Sequence, residues 1–249
     1  MPRLFRLLVG LALYGVAEGL MVLAAVGVGP WTVLAQGVSR LTGAGVGWLT
    51  NAIGLAVLLL WIPLRQRPGV GTVLNVLLVG TAVEATVTLV PAPAALLLRV
   101  PLFLAGLVLL ALASGVYIGA RLGPGPRDGL MTGLHARTGR PVGQCRAAVE
   151  LSVLAAGWAL GGDVGPGTVA FALGVGPLVG WFLPRLAPAV VVPARPAAPR
   201  RAGSRRGGSG PDGGRSQPVA GPRTAPPQVG AAYMGCAGSD PAVPERRTP

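Results

Sequence analysis

Six apolar runs, at about 4–28, 45–63, 72–90, 99–120, 142–160 and 167–184, constrain this chain more than any other feature in it. A helix gains about 1.5 Å per residue and a bilayer core is about 30 Å thick, so roughly twenty apolar residues make one crossing. Inside lipid the backbone must satisfy its own hydrogen bonds, which leaves helices as the spanning form for runs of this length. The expected fold is an all-α polytopic membrane protein with six transmembrane helices. A mean hydropathy of +0.62 and a charged fraction of 12% agree, since soluble domains carry about 25% charge. The first run follows Arg3 and Arg6 like a signal peptide. It contains Glu18, is long for a signal core and has a matching segment later, so it reads as a retained span.

Arg3, Arg6, Arg65, Arg67, Arg121, Arg127, Arg137, Arg140 and Arg185 fall on one side of this arrangement, with Arg40 and Arg99 on the other. The positive-inside rule then places both termini in the cytoplasm of a multi-pass protein of the bacterial inner (plasma) membrane.

The chain also matches itself. GVGPWTVLAQGVSRLTG at 27–43 and GPGPRDGLMTGLHARTG at 123–139 share G-x-G-P, a Leu, a Gly and a closing T-G, at a spacing of 96 residues. The same spacing lays Gly69, Gly71, Thr72, Val73, Val79 and Gly80 on Gly165, Gly167, Thr168, Val169, Val175 and Gly176. Matched Leu and Val are cheap in such a composition; two separated Gly/Pro/Thr patterns at one spacing are not. The reading is two repeats, 1–90 and 91–188, of three spans each. An odd number of spans inverts the second copy, an architecture that recurs in transporters with sites near the midplane.

In each copy a Pro opens a short segment, 30–43 and 126–138. At about 20 Å the second is too short to cross upright, so it is expected to be interfacial or re-entrant. Two readings stay open for it: a half-helix whose amide end and Arg127 greet an anionic group, or an interfacial helix whose Asp128 complements its own dipole.

The segments GPWTVLAQG (29–37), GPRDGLMTGL with its following RTG (125–139), the region around Glu150 and LGGDVGPGTVAFALGVGP (160–177) resemble the YczE group of bacterial integral membrane proteins, related to YitT and YyaS. The resemblance runs from about residue 10 to 184. It implies an integral membrane protein of poorly defined activity. The family's first motif carries Asp and His where this chain has Thr32 and Ala35, and no resemblance extends past Ala187.

Seven side chains stand out as a substrate or ion pathway: Glu18, Trp31, Glu84, Arg127, Asp128, Arg146 and Glu150. An ionised Glu18 mid-span costs at least a few kcal/mol unless paired or neutralised. It reads either as a cation or proton site between the copies or as a protonated acid bonded across a Gly-lined contact. Glu84 has the same two readings, within a polar wall of Thr81, Thr86 and Thr88. Arg146 and Glu150 are one helical turn apart and expected to neutralise each other. Trp31 follows the G-x-G-P turn and either lines a cavity or anchors at the interface, as do the other Trp residues. Asn51 and Asn75 read as interhelical glue. The repeat sets Ser114 opposite Glu18 and Gly180 opposite Glu84, so the acids are not duplicated.

Cys145 and Cys236 lie too far apart in sequence to suggest a disulfide framework or a metal-ligand spacing, and one His offers no cluster. No catalytic set, metal site or cofactor is therefore expected, and the chain does not read as an enzyme. Residues 189–249 are Arg/Gly/Pro-rich and expected to be a disordered cytoplasmic tail. Residues 185–249 hold 10 Arg against three acids; that charge suits lipid headgroups, while the lack of interleaved aromatics argues against nucleic acid. The expected partners are the lipid bilayer and a small molecule or ion carried by a small transporter or permease-like protein. The alternative is a membrane scaffold or accessory protein that meets a protein partner through the cytoplasmic loop 121–141.

Overall fold

In a computed structural model, residues 3–186 are described; the expected tail and Cys236 lie outside them. They form α1 (Arg3–Ala24), α2 (Pro30–Thr42), α3 (Val46–Leu64), α4 (Val70–Leu89), α5 (Leu96–Ile118), α6 (Pro126–Thr138), α7 (Val142–Ala159) and α8 (Pro166–Leu186). Among the described residues, five helices are long and apolar enough to cross a membrane: α1, α3, α4, α5 and α8. The expected span at 142–160 becomes α7, which has 18 residues. Its first half carries Gln144, Arg146 and Glu150, so it falls short of the others in apolarity. The first expected span ends early because Ala25 takes a positive φ of 50°.

Local chemistry explains the short helices. Each begins with Pro in its first turn, where a missing amide costs nothing, and ends at a left-handed Gly, Gly43 or Gly139. Pro126 lies 96 residues after Pro30 and Thr138 the same distance after Thr42. The positive-φ residues keep that spacing: Ala25 with Arg121, Gly27 with Gly123, Gly43 with Gly139, and Arg65 with Gly161. Gly27 and Gly123, with φ of 129° and 130°, sit where a side chain is both strained and crowded.

α1 and α5 form the centre and pack most extensively on each other; α4 lies against α1 and α8 against α5. The crossing of α1 and α5 is close because Gly10 meets the Tyr117 backbone and Gly106 meets Met21, two contacts again spaced by 96 residues. Leu7, Leu11, Met21, Phe103, Leu107, Leu110 and Val179 fill the core around it. The short helices cross over: α2 packs on α7 and α6 on α3. Trp61 of α3 lies against Gly129 of α6, where any Cβ would strike the ring, and its indole donates to the Pro126 carbonyl at 3.1 Å.

The starts of α4 and α8 are fixed in the same crossed way. Thr72 accepts from the Gly69 amide at 3.2 Å and donates to the Pro124 carbonyl at 2.7 Å. The Gly71 amide donates to Leu122 O at 2.8 Å. In the other half Thr168 accepts from the Gly165 amide at 3.3 Å, and the Gly167 amide donates to Val26 O at 3.0 Å.

Thr72→Val, which keeps the shape and deletes both hydrogen bonds of a fully buried hydroxyl, should cost about 1–3 kcal/mol. Thermal unfolding of the purified protein in detergent should show it as a lowered midpoint. Gly176→Ala, where an added Cβ meets nothing within 4 Å, should not lower the midpoint.

Candidate functional site

The N-termini of α2 and α6 open onto one cavity of about 80 Å³, room for roughly five waters. Gly29, Pro30 and Trp31 line it from one side and Gly125, Pro126, Arg127 and Asp128 from the other. Gly29 and Gly125 are both extended N-caps, and neither helix start has a side-chain cap. Uncapped amides and aligned peptide dipoles make both ends locally positive.

Most of the remaining wall comes in residues spaced by 96: Tyr14 with Leu110, Thr50 with Arg146, Gly54 with Glu150, Asn75 with Phe171, and Val79 with Val175. Trp31 and Arg127 are themselves such a pair, and the guanidinium sits 5.4 Å from the indole centroid. The charge is lopsided. Arg127, Asp128, Arg146 and Glu150 all come from the second half of the chain, where the first half has Trp31, Thr32, Thr50 and Gly54.

Glu18 supplies the first half's charge. It projects from the middle of α1, is only 2% exposed, and accepts from Arg127 Nη1 at 3.2 Å. Residues from α1 and α6, 109 apart in sequence, are thereby tied together. Burying such a pair is costly, but leaving either member alone is costlier. Arg146 Nε donates to Glu150 Oε1 at 3.0 Å along α7. The Tyr117 hydroxyl donates to Asp128 Oδ2 at 3.3 Å, and Tyr117 stands edge-on to Tyr14 with centroids 5.9 Å apart. Glu18 Oε2 and the Trp31 indole N–H are buried without a hydrogen-bond partner.

Six of the seven residues singled out from the sequence thus gather at or directly behind this cavity. Glu84 does not. Its carboxylate accepts from the Gly47 amide at 2.9 Å and serves as the missing cap of α3. Thr81, Thr86 and Thr88 donate to carbonyls of their own helix and form no shared polar wall with it. Asn51 does join helices, donating to Leu77 O at 3.3 Å and Thr81 Oγ1 at 3.2 Å. Tyr14 and Tyr117 went unnoticed in the sequence, although Tyr14 stands one helical turn before Glu18 and so shares its face. Trp61, expected at an interface, is instead 2% exposed against Gly129.

A family model described as a family of unknown function, DUF6198, matches residues 1–184. A Haemophilus influenzae protein described as an "Uncharacterized protein" is 40% identical over 177 residues, covering 71% of this chain and 81% of its own. The Bacillus subtilis "Uncharacterized membrane protein YczE" is 33% identical over 162 residues, 65% of this chain and 75% of its own. No solved structure matches the chain significantly.

Arg127→Gln strands the Glu18 carboxylate in the core and should cost about 3–5 kcal/mol. The neutral double variant Glu18→Gln/Arg127→Gln should recover most of that. Melting of the three purified proteins in detergent checks it; equal midpoints for Arg127→Gln and the parent would show that the pair carries no stability.

Proposed function

The chain belongs to the DUF6198 family and is a YczE-like membrane protein, and from that premise we propose that it is a small transporter rather than an enzyme. The single observation that carries the reading is the cavity's position: it lies where the two halves of the chain meet, at the starts of both short helices. In this reading the halves are inverted copies, each with three spans and one half-helix, and α7 serves as the sixth span with its charges turned to the cavity. Arg127, Asp128, Arg146 and Glu150 line that cavity, where polar groups are tolerated at membrane depth because they face protein and water rather than lipid. The half-helices start at the midplane, as irregular backbone in a spanning region can when it borders a cavity. Both termini, the loop at 65–67 and Arg121, Arg137 and Arg140 face the cytoplasm of the inner membrane.

The scaffold alternative needs the charges of loop 121–141 to face a partner. Arg127 and Asp128 instead line the cavity, which favours transport for those two charges, while Arg121, Arg137 and Arg140 stay exposed.

Purified protein in proteoliposomes should move a solute from a panel of small anions, cations and amphiphiles, and Glu18→Gln should reduce the flux at least about tenfold while the fold survives. No flux across the panel, or full flux in the variant, contradicts the proposal. Inversion has its own test. In a background without native cysteines, single cysteines at Thr42 and Thr138 should react with a membrane-impermeant thiol reagent from opposite sides; labelling from the same side would rule out inverted copies.

A further inference from the structure

We propose that the cavity takes a small oxyanion, most fittingly a short-chain monocarboxylate, with its charged end between Trp31 and Arg127. The assignment rests on the transport reading for its purpose but not for its chemistry. The unsatisfied capacity of the cavity wall is on the donor side. The Trp31 indole N–H can only donate, belongs to a side chain that is 6% exposed, and has no acceptor. Beside it Arg127 has five N–H groups in a planar fork that suits carboxylate and phosphate, and one of them goes to Glu18. Two helix starts without side-chain caps point their amide ends at the same space.

The acids at the site already have partners: Glu18 on Arg127, Glu150 on Arg146 and Asp128 on the Tyr117 hydroxyl. Glu18 Oε2 is an acceptor without a partner, yet Glu18 stands behind Arg127, off the cavity wall. On the wall the two guanidiniums match the two carboxylates in number, and the donors in excess are the Trp31 indole N–H and the amide ends of the two helices. An anion would meet donors.

Size and polarity narrow the class. About 80 Å³, roughly five waters' worth, excludes a bulky solute. Leu110, Phe171, Val175 and Val179 give the wall an apolar stretch beside its polar groups. A carboxylate with a short hydrocarbon tail satisfies both ends, whereas inorganic phosphate would leave that wall against a polar ligand. Glu18 then acts as the internal competitor. It holds one edge of Arg127 throughout and draws on the charge that an incoming anion would use.

Isothermal titration of the purified full-length chain in detergent, at constant ionic strength, tests this with butyrate, phosphate and tetramethylammonium. Butyrate should bind, and Trp31→Phe, which keeps an aromatic face and deletes the N–H, should weaken it about fivefold. The double variant Glu18→Gln/Arg127→Gln, neutral and so protected from the cost of a stranded charge, should lose it by at least about tenfold. Glu18→Gln alone should bind several-fold more tightly because the competitor is gone. Phosphate binding with the same dependence on Arg127 and Trp31 would keep the oxyanion assignment and move the ligand to the inorganic class. Tetramethylammonium binding in place of the anions, anion binding untouched in the double variant, or no binding at all would overturn it. Binding with no flux would count against transport alone, and flux without anion binding against this assignment alone.

Discussion

The ion pair between Glu18 and Arg127 is the interaction on which the rest of the arrangement depends. It places a carboxylate from the middle of a spanning helix against a guanidinium from the first turn of a short one. In a low-dielectric interior either charge alone costs about 3–5 kcal/mol, and the pair is retained at a cost that apolar packing would avoid. Its position fixes which way α6 must start and how deep it must reach. It also sets the guanidinium beside Trp31, so the two helix starts share one cavity.

Everything around that pair serves to hold two short helix ends against each other. The crossed packing of α2 on α7 and α6 on α3 means that each half of the chain completes the other. Gly10 and Gly106 let the central helices approach closely, and Thr72 and Thr168 anchor the neighbouring helix starts. Such a frame constrains the backbone in both halves alike while leaving side chains free to differ. The differences fall at the cavity: Arg against Trp, Arg against Thr, Glu against Gly. The charged side chains on the cavity wall therefore all come from the second half of the chain.

Much of this was legible in the residues, for local reasons. Pro at the first turn and Gly after the last delimit α2 and α6, so their length and their failure to span follow from sequence. The i, i+4 spacing of Arg146 and Glu150 foretells their contact. The Glu18 partner was not legible, because no local rule connects residues 109 apart. Glu84 misled for a related reason: a mid-sequence acid in a span looks like a pathway residue, whereas α3 begins with Gly45 and has no cap of its own, so it recruits one from α4. α7 fell short of a standard apolar span because the residues that turn to the cavity are the ones that lower its apolarity. The 96-residue spacing already equated Trp31 with Arg127; their stacking against each other is the tertiary fact it could not supply.

The central claim is that the cavity belongs to a pathway open in turn to each side of the membrane. The most direct measurement is the reaction of one cysteine at Thr50, on the cavity wall, in a background without native cysteines. A membrane-impermeant thiol reagent would be added to the inside or the outside of oriented vesicles. Alternating access predicts modification from both sides, each slowed by a bound solute. Modification from one side only, whatever solute is present, would contradict it and leave the cavity a closed structural pocket of a membrane protein with another role.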